Sequence, residues 1–229
     1  MIKPGDVVSY WDMCKEESSA LQRGMNFKLH RKTSIILMSL RPGAPYADKV
    51  EDNGRVLIYE GHDQPRRDST IRPKEIDQPM HDKGKLSQNG LFYEAAIRFR
   101  DGKAPAELVK VYEKVKGGIW TYNGVFRLVD AWREISGPRK VFKFRLEIIE
   151  SVDSSKVRKE EDEHPRMIPT AVKVEVWKRD KGKCGICGSS TNLHFDHIIP
   201  YVKGGTSLSA DNIQLLCAKC NIAKKDKIE

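Results

Sequence analysis

The sequence lacks any long apolar segment. No stretch of the 229-residue chain approaches the roughly 18 consecutive apolar residues of a membrane-spanning helix. Near the start, Pro4, Gly5 and Asp6 interrupt the apolar residues, which does not fit a secretory signal peptide. The sequence also has no internal repeat. These absences argue against membrane and secreted proteins and predict a cytoplasmic location.

Cysteine is scarce and unevenly placed. Cys14 stands alone, and the other four cysteines all lie within the last 46 residues. An odd number of cysteines without a leader segment argues against a disulfide framework and for a reducing compartment.

Acidic side chains are in the minority. The chain has 41 Lys and Arg residues against 32 Asp and Glu residues, which gives a net charge of +9. Basic residues are in excess in 1–149 and in 165–229, whereas 150–164 is acidic. Such basic regions favour polyanionic partners, chiefly nucleic acid, because Lys and Arg neutralise phosphates and release counterions. Solubility alone is the alternative explanation.

Patterning divides the chain into two domains. Residues 150–166 have few apolar side chains and dense charge, as in a linker, between a domain of residues 1–149 and a domain of residues 167–229. In the first domain, 87–100 has helical apolar spacing, with Ser87 as N-cap and Asp101-Gly102 as its end. Runs rich in β-branched and aromatic residues predict strands at 33–40, 55–60, 107–115, 119–131 and 139–149.

The second domain is predicted to be small and to have a β-β-α order. The pattern predicts a helix at 170–181, a turn at the first cysteine pair and a strand around 193–199. A loop containing Gly204-Gly205 and a final helix from about residue 212 follow.

The four late cysteines have the spacing of a metal site. Cys184-Gly-Ile-Cys187 and Cys217-Ala-Lys-Cys220 are two Cys-x2-Cys pairs separated by 29 residues. Four thiolates suit a tetrahedral Zn²⁺ in a structural role. A zinc would supply much of the stability of a domain with so small a core. Buried free cysteines are the alternative.

A second motif lies between and after the cysteine pairs. The segment 193–200 contains Asp196-His197, Asn212 follows, and Asn221 comes directly after the last cysteine. With the Gly-Gly loop and the thiol frame, this order resembles the HNH, or ββα-metal, nuclease family over residues 170–228. The resemblance implies a zinc-stabilised domain that hydrolyses phosphodiester bonds.

The same resemblance implies a role for each matching residue. His197 would be the general base, since a neutral imidazole accepts a proton at neutral pH. Asp196 and Asn221 would ligate one catalytic Mg²⁺ or Mn²⁺ through oxygen atoms. Asn212 would brace the loop and orient His197. A zinc-binding module without catalytic activity is the alternative.

Three short motifs distinguish the first domain. They are the block 45–62, the Asp77-Gln78 step and the block 121–132, which contains Tyr122-Asn123-Gly124. Their order resembles the SRA (SET- and RING-associated) domain, a reader of modified cytosine, over residues 24–149. Asn123 stands here where the family motif has Asp. The resemblance implies a curved β-barrel with packed helices, so the fold class expected for the whole chain is α+β.

The SRA resemblance also implies a pocket for a base turned out of the duplex. Its matching residues here are Tyr46, Asp48, Tyr59, Glu60 and Gly61. The two tyrosines would stack on the base, and Asp48 would accept its exocyclic amine. The backbone of the other two would line the methyl side. Ordinary strand and turn roles are the alternative.

Two loops add further candidates, one for the base pocket and one for contacts with DNA. The loop after Tyr46 is one residue longer than in relatives, so Lys49 or Glu51 could take the place of Asp48. The basic loop 63–74 offers Arg66 and Arg67 as DNA contacts.

Two lysines in the last helix are further candidates. Lys224 and Lys225 would hold phosphates near the cut, or else form a solvated helix face.

An SRA-like domain followed by an HNH-like domain is similar to modification-dependent (type IV) restriction endonucleases. The resemblance implies hydrolysis of double-stranded DNA near 5-methylcytosine or 5-hydroxymethylcytosine. One HNH site cuts one strand, so a homodimer is expected. The alternatives are a nuclease for unmodified, structured or phosphorothioated DNA, and a non-catalytic reader of modified bases.

Overall fold

The computed structural model of the chain describes residues 2–31, 33–65, 72–149, 167–200 and 203–224. The predicted linker 150–166, together with Arg66, Arg67 and Lys225, lies outside these residues. Helices and strands occur in both the N-terminal and the C-terminal portion, so the predicted α+β class is confirmed. Among the described residues, no helix combines the length and the apolar character needed to cross a bilayer.

The N-terminal portion, which we term the sheet unit (residues 2–149), is built on one large sheet. The strands of this unit are β1 (Val7–Ser9), β2 (Met25–Asn26), β3 (Ser34–Met38), β4 (Lys49–Glu51), β5 (Val56–Glu60), β6 (His81–Asp82), β7 (Lys85–Leu86), β8 (Glu107–Lys116), β9 (Ile119–Ser136) and β10 (Arg139–Ile148). Strands β6 and β7 form a small separate hairpin, and the others form the large sheet. The order in the sheet is β2-β3-β8-β9-β10-β5-β4, and β1 also pairs with β9. The pair β3–β8 is parallel, and the other pairs of this sheet are antiparallel.

Two helices pack on this sheet. Helix α1 (Tyr10–Glu16) follows β1 directly, with Ser9 as its N-cap. In α2 (Gln88–Arg100), the Ser87 hydroxyl accepts a hydrogen bond from the Gly90 amide, and Asp101 follows the last turn, as predicted. Phe92 of α2 is fully buried and meets the ring of Phe144 edge-on, at 6.0 Å between centroids. Burying an aromatic side chain of this size contributes about 1.5–3 kcal/mol, which fixes α2 against the sheet.

A β-bulge interrupts β9 within the motif 122–124. Val111 pairs with Gly124 and Tyr112 pairs with Tyr122, so Asn123 has no Cα partner on β8. Gly124 has φ +105°, a backbone conformation that side chains with a Cβ rarely adopt. Bulges redirect side chains. Here the bulge turns Asn123 into a buried position.

The C-terminal portion, the hairpin unit (residues 167–224), has the expected β-β-α order. Its elements are α3 (Thr170–Arg179), β11 (Leu193–His197), β12 (Ile213–Cys217) and α4 (Ala218–Lys224). The prediction of a helix from residue 212 was wrong, because 213–217 form a strand that pairs with β11. A short apolar run does not distinguish a strand from a buried helix, and pairing with Leu193–His197 favours the strand here.

The two units share one hydrophobic core. The core of the hairpin unit includes the buried residues Val176, Phe195 and Leu215. Val115 of β8 is buried in the same cluster, and Val7 and Ile119 pack against it. Strands of the sheet unit therefore complete the core that supports the hairpin.

Candidate functional site

The four late cysteines converge on one point. Cys184 and Cys187 lie in the turn after α3, Cys217 ends β12, and Cys220 is in α4. Their sulfur atoms all lie within 4.8 Å of one another. The Cys187 and Cys217 Sγ atoms are 3.6 Å apart, close to the ~3.8 Å that tetrahedral Zn–S bonds of about 2.3 Å require.

Local backbone contacts prepare these thiols for a cation. The Gly185 amide donates to the Leu215 carbonyl at 2.8 Å, which ties the first cysteine turn to β12. Burial disfavours the thiolate of Cys184, yet hydrogen bonds from backbone and side-chain groups of the cluster outweigh it and lower the pKa of Cys184 to about 6. A backbone hydrogen bond also lowers the pKa of Cys217, whereas hydrogen bonding to the other sulfurs raises that of Cys220 to about 12. The site is suited to a structural metal such as zinc, which replaces the shared protons.

The hairpin presents Asp196 and His197 on opposite faces. Asp196 is opposite Gln214 and His197 is opposite Ile213 in the β11–β12 register. Nε2 of His197 lies 2.8 Å from the hydroxyl of the buried Ser207. Burial lowers the pKa of His197 below its usual 6.5; the charge of Lys224 acts in the same direction and that of Asp196 opposes it. The imidazole is therefore neutral at neutral pH.

Asn212 braces the loop that follows His197. Its Oδ1 accepts from the Ile199 amide at 2.8 Å, and its Nδ2 donates to the carbonyls of Ile199 and Thr206 at 3.1 and 3.0 Å. Gly205 makes this close packing possible, because a Cβ there would lie 1.9 Å from the Ile199 oxygen. These contacts hold the segment that carries Ser207 against β11.

Lys224 is buried against Asp196. Its ammonium donates to Asp196 Oδ2 at 2.8 Å and to the carbonyl of His197 at 2.5 Å, and the residue is 2% exposed. From the sequence, Lys224 was predicted to contact DNA phosphates or to lie on a solvated face of the helix. In this structure the side chain is turned inward, because its charge pairs with Asp196.

Asn221 lies one helical turn before Lys224, at the wall of a cavity of about 770 Å³ between the N-terminal segment and the hairpin. His194 lines the same cavity and its Nδ1 is 2.6 Å from Asp6 Oδ1. Asp196 is not part of this wall. The structure thus brings Asp196 close to α4 through Lys224, while Asn221 faces the N-terminal segment.

The sheet unit contains a separate cavity of about 570 Å³. Its wall includes Tyr46, Asp48 and Glu60, three of the residues predicted for a base pocket. Tyr59 and Gly61 are not in this wall. Tyr59 is 2% exposed and belongs to the core of the sheet unit, so the structure does not place the two tyrosine rings on opposite sides of this cavity.

Asp48 is held rigidly at the cavity wall. Its two carboxyl oxygens accept from the backbone amides of Glu60, at 3.0 Å, and Ser39, at 3.2 Å. Burial raises the pKa of Asp48 to about 6, although these two hydrogen bonds and Lys143 oppose the shift. The group is therefore ionised at neutral pH and lies near its titration point in mild acid.

Tyr46 is covered by a lysine. The Lys74 ammonium lies 4.3 Å from the centroid of the Tyr46 ring, and it also pairs with Asp63 at 3.0 Å. The Tyr46 hydroxyl accepts from the Asp63 amide at 3.3 Å. Lys74 itself is exposed, and its ammonium also donates to the Pro45 carbonyl.

Two buried cations at this cavity, Arg139 in its wall and Lys143 beside it, were not predicted from the sequence. Lys143 donates to Glu60 Oε2 at 2.9 Å, and Arg139 contacts Asp63 at 2.5 Å and Glu60 Oε1 at 3.4 Å. Both cations are at most 5% exposed. The available signal was the alternation of basic and aromatic residues along β10, which predicts a polar face but does not reveal that Lys143 pairs with Glu60 in register.

Gln78 and Asn89, which lie between β5 and β10 in the sequence, support the cavity wall without lining it. Gln78 donates to the Gly61 carbonyl at 2.6 Å and accepts from the Phe142 amide at 2.8 Å. Asn89 bonds both the amide and the carbonyl of His62 at 2.9 Å. They fix the chain directly after Glu60 and so set the position of that carboxylate.

Residues 184–227 match the family described as HNH endonuclease. This range contains the four clustered cysteines, the β11–β12 hairpin and α4. Residues 184–227 therefore form an HNH endonuclease domain, as the sequence predicted.

Comparison with curated protein sequences gave no match. Among solved structures, the chain is similar to the SUVH5 SRA domain in complex with fully methylated CG DNA, with a TM-score of 0.45 and 22% identity over 66% of this chain and 91% of that chain. The SUVH5 SRA domain bound to fully hydroxymethylated CG DNA gives a TM-score of 0.46, 22% identity and the same coverage. The modification-dependent TagI restriction endonuclease gives 0.44 and 18% identity over 99% of this chain and 78% of that chain.

Proposed function

We propose that this chain is a modification-dependent DNA endonuclease that recognises 5-methylcytosine or 5-hydroxymethylcytosine and hydrolyses a nearby phosphodiester bond. The observation that carries the proposal is the pair of sites within one chain. One is a polar cavity with a fixed carboxylate at Asp48 beside the Tyr46 ring. The other is an HNH hairpin with a neutral, oriented His197.

In the cavity, a cytosine turned out of the duplex replaces Lys74 on the face of Tyr46. Base stacking on an aromatic ring is worth about 1–3 kcal/mol. Asp48 accepts the exocyclic amine of the base, and its two backbone donors keep the carboxylate in place. Because Tyr59 is buried behind the wall, Tyr46 is the aromatic partner in this proposal.

Glu60 acts as a fixed part of the wall. Arg139 and Lys143 hold its two carboxylate oxygens, and Oε2 also accepts from the Ala47 amide at 3.1 Å. The two cations thereby balance the charge of Glu60, so this carboxylate is not left unpaired when an uncharged base enters the cavity.

In the HNH domain, His197 removes a proton from the attacking water. Its lowered pKa keeps the imidazole neutral, and Ser207 fixes the orientation of the ring. Asn212 keeps the Ser207 segment in place through the loop. Asp196 and Asn221 would hold a divalent Mg²⁺ or Mn²⁺ through oxygen atoms, which requires Asp196 to exchange Lys224 for the ion and Asn221 to turn away from the cavity at the N-terminal segment. The ion would supply positive charge at the phosphate.

The partner in this proposal is double-stranded DNA. A single HNH hairpin hydrolyses one strand, so two copies of the chain act together on a double-strand break, as a homodimer. The basic excess of the chain favours the DNA backbone through phosphate contacts.

The test is cleavage of plasmids that differ only in cytosine modification, with and without a chelator of divalent ions. We expect cuts only in modified plasmid and only without chelator. His197→Ala should abolish cleavage and leave binding to modified DNA intact. Equal cleavage of modified and unmodified plasmid at every salt concentration would identify a general DNA nuclease instead. Unchanged cleavage by His197→Ala would identify a reader without HNH catalysis.

A further inference from the structure

A buried polar cluster joins the two units away from both sites. It combines Glu113 of β8 and Asn123 of the β9 bulge with Thr170 and Lys173 of α3. The Lys173 ammonium donates to Glu113 Oε2 at 2.7 Å and to the side-chain Oδ1 of Asn123 at 3.1 Å. Asn123 Nδ2 donates to Glu113 Oε2 at 2.9 Å, and the Thr170 hydroxyl donates to Glu113 Oε1.

The charges of this cluster balance, and its side chains are shielded from solvent. Its four members are at most 6% exposed, and it contains one anion and one cation. Burial opposes ionisation of Glu113, but the charge of Lys173 and three hydrogen bonds outweigh it and lower the pKa of Glu113. Such a pair is strongly dependent on geometry, because either charge left without its partner in the interior costs several kcal/mol. The cluster therefore favours one position of α3 on the sheet.

Three other contacts fix the same position. The side chain of Val115 is buried within the core of the hairpin unit. His194 of β11 forms an isolated antiparallel bridge with Asp6, and its Nδ1 lies 2.6 Å from the Asp6 carboxylate. Gly54 packs so closely on Met167 that an added Cβ would lie 2.6 Å from the Met167 Cβ.

We propose that the Glu113–Lys173 cluster and the shared core hold the HNH domain at one fixed position on the sheet unit, so that this docking, and not the length of segment 150–166, sets the distance between the recognised base and the cut. The inference rests on the proposed function for its biological meaning. Glu113, Asn123 and Lys173 are then positioning residues. They lie outside the wall of the cavity in the sheet unit and act only through the placement of the hairpin.

The first test changes the connection and leaves the docking intact. A protease recognition sequence of about ten residues is inserted within 150–166, and the full chain is purified and then cut at that sequence. A duplex with one modified cytosine serves as substrate, and the ends are mapped to the nucleotide. We expect the insertion and the subsequent cut to leave the cleavage position unchanged, and the two fragments to elute together in gel filtration. A shifted or broadened cleavage position, or separation of the fragments, overturns the proposal.

The second test weakens the docking and leaves the connection intact. Glu113→Gln with Lys173→Ala removes both charges together, so that neither is left unpaired in the interior. We expect the range of cleavage positions to widen at least about twofold, with binding to the modified duplex unchanged. The matched control is Glu175→Gln with Lys178→Ala, two exposed positions on the same helix, which should cut as the parent does. An unchanged range in the cluster variant overturns the inference.

The two tests separate this inference from the proposed function. If the parent chain shows no preference for modified DNA, the proposed function fails, and co-elution of the cut fragments still decides the docking. If the parent prefers modified DNA but the insertion moves the cleavage position, only the docking inference fails. Circular dichroism establishes that the double variant is folded, and if it is not, the insertion test alone decides.

Discussion

Asp48 shows how a single side chain can be prepared for recognition before any ligand arrives. Two backbone amides orient its carboxylate, and burial keeps its pKa close to 6. A carboxylate that is already desolvated and oriented loses little free energy when a base replaces water beside it.

Asp48→Ala should therefore reduce discrimination and not catalysis. A hydrogen bond to a charged group is worth about 1.5–3 kcal/mol. In the proposed function only a modified base is retained in the cavity, so loss of this bond should lower cleavage of the modified duplex at least about tenfold. Background cleavage of the unmodified duplex, which does not use the cavity, should stay the same, and the ratio of the two should fall accordingly. Competition cleavage with two labelled duplexes measures this ratio. Asp101→Ala, an exposed position at the end of α2, should keep the parent ratio. An unchanged ratio in Asp48→Ala contradicts the assignment.

The titration of His197 gives a second prediction for a single side chain. Only the neutral imidazole accepts a proton, and burial lowers its pKa below 6.5. The cleavage rate should rise with pH, with its midpoint at this lowered pKa, below pH 6.5, and should then reach a plateau. Asp48 also titrates near pH 6, so the rate is measured in single turnovers at saturating DNA. A titration of His197 by NMR should give the same pKa. A pH–rate profile with its midpoint above pH 6.5 argues against His197 as the base.

The hairpin unit is built from short elements with little core, so its stability depends on cross-links between them. Helix α4 has seven residues, and β11 and β12 have five each. Elements this short are marginal on their own. The sulfur cluster ties the turn after α3 to the end of β12 and to α4, and so connects all parts of the unit.

Replacing one cluster cysteine should therefore release the metal and unfold the hairpin unit. We expect Cys217→Ser to lose bound zinc, about one ion per chain in the parent, and to lose cleavage. Metal analysis and far-ultraviolet circular dichroism measure the two effects. Cys14→Ser provides the matched control, because Cys14 lies in α1 outside the cluster and should retain both zinc and activity. Retention of zinc by Cys217→Ser would falsify the four-thiolate site.

The sequence predicts features that depend on short-range interactions and misses those that depend on contacts between distant residues. The cysteine pairs, Asp196-His197 and the Ser87 cap depend on local spacing and were predicted. The strand 213–217 was missed because its identity depends on pairing with β11. The cations Lys143 and Arg139 were missed because their partners are 83 and 79 residues away. Local spacing carries no information about such contacts.

The stability of the whole chain depends on the buried ion pair between Glu113 of the sheet unit and Lys173 of the hairpin unit. The lowered pKa of Glu113 means that its contribution to stability is present above the unfolded pKa of about 4.5 and is lost as the pH falls through the folded value.

Lys173→Met should lower the free energy of unfolding by about 3–5 kcal/mol, because it leaves Glu113 as an uncompensated buried charge. Adding Glu113→Gln should restore most of this loss. Urea unfolding of both variants measures the difference. Lys178→Met, exposed on the same helix, should change stability by less than about 0.5 kcal/mol. Equal losses in the single and the double variant would contradict a paired charge.

The shared core also limits how this enzyme can be rebuilt. Val7, Val115 and Ile119 are distant in sequence from the hairpin that they help to bury. A chimera that transplanted only residues 167–229 onto a foreign DNA-binding scaffold would leave that apolar face without its cover and prone to aggregate. A nuclease domain that is to be transferred to another protein therefore has to include a substitute for the β1 and β8–β9 surface. The segment to be transferred is larger than the catalytic motif.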